Sequence, residues 1–227
     1  MYHVESNFTY PKMYKVRQHL NSEKLADINK TVYDELDAIG IGEKIKKDSE
    51  IAVCAGSRGI NNIDKIVKAA VDYVKDHGGK PFIVPAMGSH GGATADGQIH
   101  VLEKYGISEE TMGCEIRSDM EPVYLGDAEN GAPVYFDKNA YGAAGIIVVN
   151  RVKPHTDFLA ENESGVVKMC AVGLGKEKGA TAMHGYNLGE TIPLSFKVSL
   201  EKAPYLAGLA IIENSMDETY MIKALKP

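Results

Sequence analysis

Four side chains with chemically useful groups lie on separate segments of this chain. His90 lies in the glycine-rich loop GSHGGATADG, His155 follows a proline in RVKPHTD, and Lys168 interrupts the apolar run ESGVVKMCAVGLG. His184 comes sixteen residues after the lysine. Imidazoles transfer protons near neutral pH and bind transition metals, and apolar surroundings favour the neutral, nucleophilic form of an amine. These residue types indicate acid–base catalysis, metal binding or covalent attachment.

Each side chain also has a structural interpretation. The glycine loop can hold a surface histidine, Asp157 can form a local turn beside His155, and His184 can interact with the dipole at a helix C-terminus. Residues 172–180, VGLGKEKGA, match neither a dinucleotide-binding nor a Walker pattern and indicate phosphate binding only weakly. Burying an ammonium is costly, so Lys168 either points outward or marks a site that needs an amine.

The elements that must position these residues indicate an α/β fold. We predict a Rossmann-like, mostly parallel sheet with crossover helices and a β-hairpin insertion. The predicted strands are 50–55, 80–86, 145–150 and 208–214, and the predicted helices are 22–40, 62–77, 94–105 and 177–184. The hairpin is predicted at 122–136, with Asn130-Gly131 near its turn. Residues 166–172 are predicted to form a buried strand or strand-like segment, and the tail 217–227 has helical character.

The polar loops come directly after predicted strands. GSRG follows 50–55, GSHGG follows 80–86, and RVKPHTD follows 145–150. Ligands of open α/β sheets bind at the carboxyl ends of the strands, so we expect these loops to meet around one cleft. The first loop precedes a helix N-terminus, where Arg58 would add donors for a phosphate or carboxylate.

Composition limits the function classes. The 227 residues are 44% hydrophobic and 25% charged, which is typical of a globular chain with a sizeable core. The net charge of −6 disfavours a nucleic-acid partner, and no apolar run of about 18 residues predicts a membrane span. The widely spaced Cys54, Cys114 and Cys170 suggest neither disulfides nor a zinc knuckle, so we expect a cytoplasmic location.

Together, GSHGGAT, VNRVKPHTDF and ESGVVKMCAVGLGKEKGATAMH resemble the nickel-dependent lactate racemase family, specifically its N-terminal, cofactor-holding domain. The similarity extends from about residue 50 to 214 and is best over 150–184. In this family a lysine holds a nickel-pincer nucleotide, derived from a pyridinium mononucleotide, and a histidine sixteen residues later ligates nickel. Lys168 and His184 have this spacing.

The resemblance implies a racemase or epimerase of a 2-hydroxy acid. Hydride would move between the substrate carbon and the cofactor, while His90 and His155 act as acid and base and Arg58 binds the substrate carboxylate. Attachment as a thioamide would remove the charge of Lys168 and with it most of the burial penalty. The remaining cofactor-binding residues are assigned as Gly56, Ser57, Gly91 and Gly92.

Two departures from the family pattern bear on the substrate. The segment between His155 and Lys168 is longer and carries Glu161 and Glu163, and His90 precedes two glycines where the family has an arginine. A roomier pocket and a hydroxy acid larger than lactate, such as a sugar acid, are therefore expected.

We predict that residues 1–227 form one α/β cofactor-binding domain, the N-terminal half of a longer two-domain protein, although a short native chain is equally compatible with the residues. The expected partners are a C-terminal domain of the same protein and cofactor maturation enzymes. The isolated domain is expected to be inactive.

Two other functions are compatible with these residues. A metal-dependent hydrolase would use His90, His155 and His184 as ligands and water as nucleophile, but it would leave Lys168 unexplained. A non-catalytic phosphate- or nucleotide-binding module would use the glycine loops, and its ligand binding would survive Lys168→Ala.

Overall fold

The computed structural model describes residues 10–57 and 59–227. The strands are β1 Glu50–Ala55, β2 Lys80–Pro85, β3 Pro122–Asp127, β4 Pro133–Asp137, β5 Gly145–Arg151, β6 Tyr205–Glu213 and β7 Thr219–Leu225. The main sheet has the order β2-β1-β5-β6-β7, with β7 antiparallel to β6 and the other neighbours parallel. Strands β3 and β4 form a separate hairpin. The predicted fold class is confirmed.

The helices connect these strands and cover both faces of the sheet. They are α1 Ile28–Ala38, α2 Ile63–Asp76, α3 Ala95–Glu103, α4 Glu109–Met112, α5 Lys138–Gly142, α6 Gly165–Lys168, α7 Lys176–His184 and α8 Leu188–Lys202. A π-helical turn, Met169–Gly173, joins α6 to α7. None of the helices described is long and apolar enough to cross a membrane.

The core lies on both faces of the sheet. Along β1, Ile51 and Val53 pack in one cluster with α1 and α2, whereas Ala52 and Cys54 pack in the other with the hairpin and the π-helical turn. A strand covered on both faces buries successive residues on opposite sides. For this reason β1 is almost continuously apolar, and its prediction from sequence was reliable.

Two predicted elements are wrong, and three helices, the short α4 and α5 and the long α8, were not predicted. Residues 166–172, predicted as a strand, form α6 and the π-helical turn, because Gly165, at φ +79°, starts a helix whose buried side chains pack under the hairpin and α8. The tail, predicted as helical, is β7: it pairs with β6 and buries Thr219, Ile222 and Ala224. Helix α8 contains Gly189 and Pro193, both poor helix formers, which obscured its pattern.

Candidate functional site

A cavity of about 400 Å³ lies at the carboxyl ends of β1, β2 and β5. The loops after these strands form one side of it, and α6, the π-helical turn and α7 form the other. Among the predicted site residues, Ser57, His90, His155, Lys168 and His184 all line this cavity. Residues up to 127 positions apart in the chain therefore meet at the sheet edge where parallel topology predicts a ligand.

The cavity lining is basic although the chain is acidic. Lys153, Lys168 and Arg151 line it with the three histidines, and none of the described lining residues is Asp or Glu. Arg151 is paired with Glu213, whose side chain is almost fully buried, so part of this charge is neutralised within the protein. In a chain of net charge −6, a lining without carboxylates favours an anionic ligand.

His90 is held by the loop that follows β1. The hydroxyl of Ser57 is hydrogen-bonded to His90 Nδ1, and the Tyr105 hydroxyl donates to the Ser57 carbonyl at 2.9 Å. When Nδ1–H donates to the serine oxygen, Nε2 carries the lone pair and can accept a proton from a ligand. Ser57, assigned from sequence to cofactor binding, is thus also the partner that orients His90.

His155 lies half-buried against Phe158, with ring centroids 4.3 Å apart. The backbone N–H of Asp157 donates to His155 Nδ1 at 3.2 Å, so it is the backbone of Asp157 that contacts the imidazole. In this arrangement the neutral ring carries its proton on Nε2. Burial lowers the pKa of His155 from its usual 6.5, and the positive charge of Lys168 lowers it further, so the neutral ring is favoured.

The loop that carries His155 is tied down by polar contacts at its base. Glu163 accepts hydrogen bonds from the backbone N–H of His155 at 2.7 Å and of Ala160 at 3.0 Å. Ser164 Oγ accepts from the Lys153 N–H at 2.7 Å and donates to the Lys153 carbonyl. The longer, acidic segment noted in the sequence therefore uses Glu163 to fix the loop, and this carboxylate does not line the cavity.

Lys168 is half-buried at the end of α6 and lines the cavity. Its Nζ lies 5.2 Å from the centroid of the Phe158 ring, a cation–π distance. From the sequence, Lys168 is expected either to point outward or to mark a site that needs an amine. The structure shows neither a fully buried ammonium nor a side chain directed away from the other candidate residues. The amine shares one cavity with the three imidazoles.

His184 ends α7 on the opposite wall. Its Nδ1 is 2.6 Å from the carbonyl oxygen of Ala180, and because a carbonyl only accepts, Nδ1 carries the proton. This hydrogen bond leaves the Nε2 lone pair for a ligand. Histidines that bind metals usually have the second ring nitrogen held by such a donor–acceptor contact.

The three histidines do not form a conventional metal site. Within the part of the chain that the structure describes, no group of three or more His, Cys, Asp or Glu side chains is arranged to hold a metal ion. The hydrolase hypothesis, which needs His90, His155 and His184 as joint ligands, is therefore not supported by this geometry.

Two of the glycines assigned to cofactor binding, Gly56 and Gly91, are closely packed against other parts of the chain. Gly56, Gly91 and Gly92 are not among the lining residues, and a Cβ on Gly56 would lie 2.6 Å from Met169 Cε. Gly91 lies at φ +69°, and its Cβ would be 2.6 Å from the Gly97 backbone. Arg58, the predicted carboxylate-binding residue, lies outside the described residues.

Sequence reasoning missed Asn150 and Ser164, which also line the cavity. Asn150 Nδ2 donates to the Gly165 carbonyl at 3.1 Å and so fixes the start of α6. The signal available in the sequence was a polar residue at the end of an otherwise apolar strand. Ser164 gave no such signal, because its partner Lys153 is brought close only by the loop.

Comparison with known proteins supports the fold. No family model matches the chain, and no curated protein sequence matches it significantly. Among solved structures, the lactate racemase apoprotein from Thermoanaerobacterium thermosaccharolyticum superposes with a TM-score of 0.65 at 13% sequence identity. The chain has a fold similar to lactate racemase. The match covers 94% of this chain and 56% of that one, so this chain spans little more than half of the length of the solved racemase.

Proposed function

We propose that this chain is the cofactor-binding domain of a racemase or epimerase that acts on a 2-hydroxy acid. The observation that carries the proposal is that His90, His155, Lys168 and His184 line one cavity at the carboxyl edge of the sheet. The basic lining, which has no Asp or Glu among the described residues, suits a substrate carboxylate and a cofactor phosphate. The fold similarity to a racemase apoprotein is consistent with this function.

The residues present fit a nickel-pincer nucleotide. A pincer ligand supplies several donors to its metal, so the protein needs to contribute few, and His184 offers Nε2 for this purpose. Lys168 places an amine in the same cavity for covalent attachment. When bound, the cofactor would accept hydride from the substrate carbon and return it. The absence of a three-residue metal cluster among the described residues is compatible with this kind of centre.

The two other histidines differ in the group that contacts Nδ1: a hydroxyl, which can accept or donate, at His90 and a backbone N–H, which only donates, at His155. His90 can accept the substrate hydroxyl proton at Nε2 while Nδ1–H donates to Ser57. The neutral ring of His155 carries its proton on Nε2, and to act as a base at that atom it must move the proton to Nδ1 and lose the 3.2 Å bond from the Asp157 N–H. This difference suits a reaction in which one imidazole gives a proton and the other takes one.

The test is an intact mass and metal analysis of the full-length protein co-expressed with cofactor maturation enzymes. We expect a mass increase on the peptide that contains Lys168, together with stoichiometric nickel. Lys168→Ala should lose both, and His184→Ala should lose nickel but keep the adduct. Lys178→Ala is the matched control, because this exposed lysine of α7 contacts Tyr135 and does not line the cavity.

Different results would contradict the proposal. An unmodified Lys168 in protein made with the maturation enzymes would refute the attachment. Stoichiometric zinc with an unmodified lysine would favour a hydrolase, and tight nucleotide binding that survives Lys168→Ala would favour a non-catalytic binding module. Loss of the adduct in the Lys178→Ala control would show that the effect is not specific to position 168.

A further inference from the structure

A buried ion pair lies behind the candidate site and does not line it. Lys176 and Asp137 both have fully buried side chains, and Lys176 Nζ is 2.8 Å from Asp137 Oδ2. The contact is ionic and is not a well-aligned hydrogen bond, since this oxygen has no partner with hydrogen-bond geometry among the described residues. Burying two charges is costly, so such a pair contributes little net stability and calls for another explanation.

Lys176 is the lysine of the GLGKEKG segment that weakly suggested phosphate binding. The structure directs it inward: its ammonium donates to the Pro85 carbonyl at 2.7 Å and to Gln98 Oε1 at 3.2 Å. It also begins α7 with a left-handed backbone, at φ +54°. One side chain thus joins the end of β2, helix α3 and the end of β4 to the helix that ends at His184.

Gln98 carries this connection to the loop of His90. The glutamine is fully buried, and its Nε2 donates to the Gly88 carbonyl at 2.8 Å and to the His90 carbonyl at 3.4 Å. Because an ammonium only donates, Lys176 requires Oε1 of the amide to face it, which directs the NH₂ group toward the loop. The lysine therefore sets the orientation of the glutamine amide.

The same loop is held from the other side by the turn that follows Lys168. The Gly88 N–H donates to the Gly173 carbonyl at 2.9 Å. A Cβ on Gly88 would lie 3.3 Å from Ala180 Cβ, which shows how closely the loop approaches α7. The distances of His90 from Lys168 and from His184 therefore depend on these buried contacts.

We propose that Lys176 is a positioning residue that acts through Gln98 to hold His90 in register with Lys168 and His184. This inference rests on the proposed function and adds to it a residue that touches neither substrate nor cofactor. Its physical basis is that catalysis is sensitive to small misplacements of a catalytic group, whereas a buried, directional network resists them.

The test uses two variants of the full-length, cofactor-loaded protein. Gln98→Met keeps the ion pair but removes both hydrogen bonds to the loop. The double variant Lys176→Met/Asp137→Asn removes the orienting charge without leaving an unpaired one. We expect kcat to fall by roughly tenfold to a hundredfold in both, with KM changed by less than about threefold.

Tyr73→Phe is the matched control. It removes the hydroxyl of a buried side chain between α2 and α1, and with it the hydrogen bond to Asp37 at 2.7 Å and the contact with the Gly42 backbone. A general loss of stability would affect this variant as well, whereas a positioning role predicts that its kcat is unchanged.

A second measurement does not depend on racemase activity. Amide hydrogen exchange of the cofactor-free protein should become faster at residues 87–91 in Gln98→Met and remain unchanged there in Tyr73→Phe. If the cofactor-loaded wild-type protein had no racemase activity, the proposed function would fail. The exchange rates would still show whether the contacts of Lys176 and Gln98 hold the loop of His90. The inference would be overturned if Gln98→Met left exchange at residues 87–91 unchanged. It would also be overturned if exchange there became faster while kcat of an active protein stayed the same.

Discussion

Gly173→Ala should destabilise the protein, because the added methyl group has no room. A Cβ at this position would lie 2.3 Å from Met169 Sδ and 2.7 Å from the Ala86 carbonyl oxygen. The methionine can move, but the oxygen belongs to the backbone at the end of β2. Overpacking of this kind costs about 1–3 kcal/mol, and alanine regains up to about 1 kcal/mol of helix propensity.

The fixed backbone contact places the cost in the upper part of its range, so the net loss is about 1–2 kcal/mol. For a domain of this size, the corresponding fall in Tm is roughly 2–8 °C. Thermal unfolding of the cofactor-free chain, followed by circular dichroism, measures it directly.

Gly142→Ala is the control for this measurement, since it also lies in a helix but its Cβ would meet no described atom within 4 Å. It should leave Tm unchanged or raise it slightly. A Gly173→Ala variant as stable as Gly142→Ala would show that the turn after α6 can shift away from β2, and the argument that it holds the His90 loop tightly would fail.

Three further predictions concern the site and its support. Lys168→Met should raise the pKa of His155 in an NMR titration, because the lysine charge helps to lower it; an unchanged pKa would show that the charge of Lys168 does not contribute. Ser57→Ala should reduce kcat roughly tenfold, which is part of the rate gain that a positioned base contributes. Nitrogen chemical shifts of the His90 ring should then show a mixture of tautomers, because the Ser57 contact is lost. A single tautomer in this variant would contradict the role of Ser57 in orienting His90. Glu213→Gln should lower the free energy of unfolding, measured by urea denaturation, by about 3 kcal/mol, because it leaves the partly buried Arg151 without its anionic partner. A loss no larger than that for an exposed ion pair would refute this.

The arrangement of the candidate site followed from local patterns and parallel topology. The strands at 50–55, 80–85 and 145–151 are apolar runs bounded by glycine or polar residues, and each agrees closely with its prediction. Once these strands are parallel, the loops after them must meet at one edge, whatever their sequences. The meeting of His90 and His155 in one cavity was therefore predictable without coordinates.

Other features depended on contacts between distant parts of the chain. Residues 166–172 are apolar whether they form a strand or a buried helix, and only packing under the hairpin and α8 decides between them. The tail becomes β7 because β6 offers an unpaired edge, and hydrogen bonds to that edge outweigh weak helical propensity.

The sequence by itself determined the four parallel strands of the sheet, the helices that follow β1 and β2, and the set of reactive side chains, because these depend on hydrophobic periodicity and residue chemistry within short windows. Only the tertiary structure decided which lysine faces the cavity and which is buried. Lys168 and Lys176 lie eight residues apart in one glycine-rich segment, yet one lines the cavity and the other pairs with Asp137. The environment of a charge is set by the groups that folding brings around it, and those groups are far away in sequence.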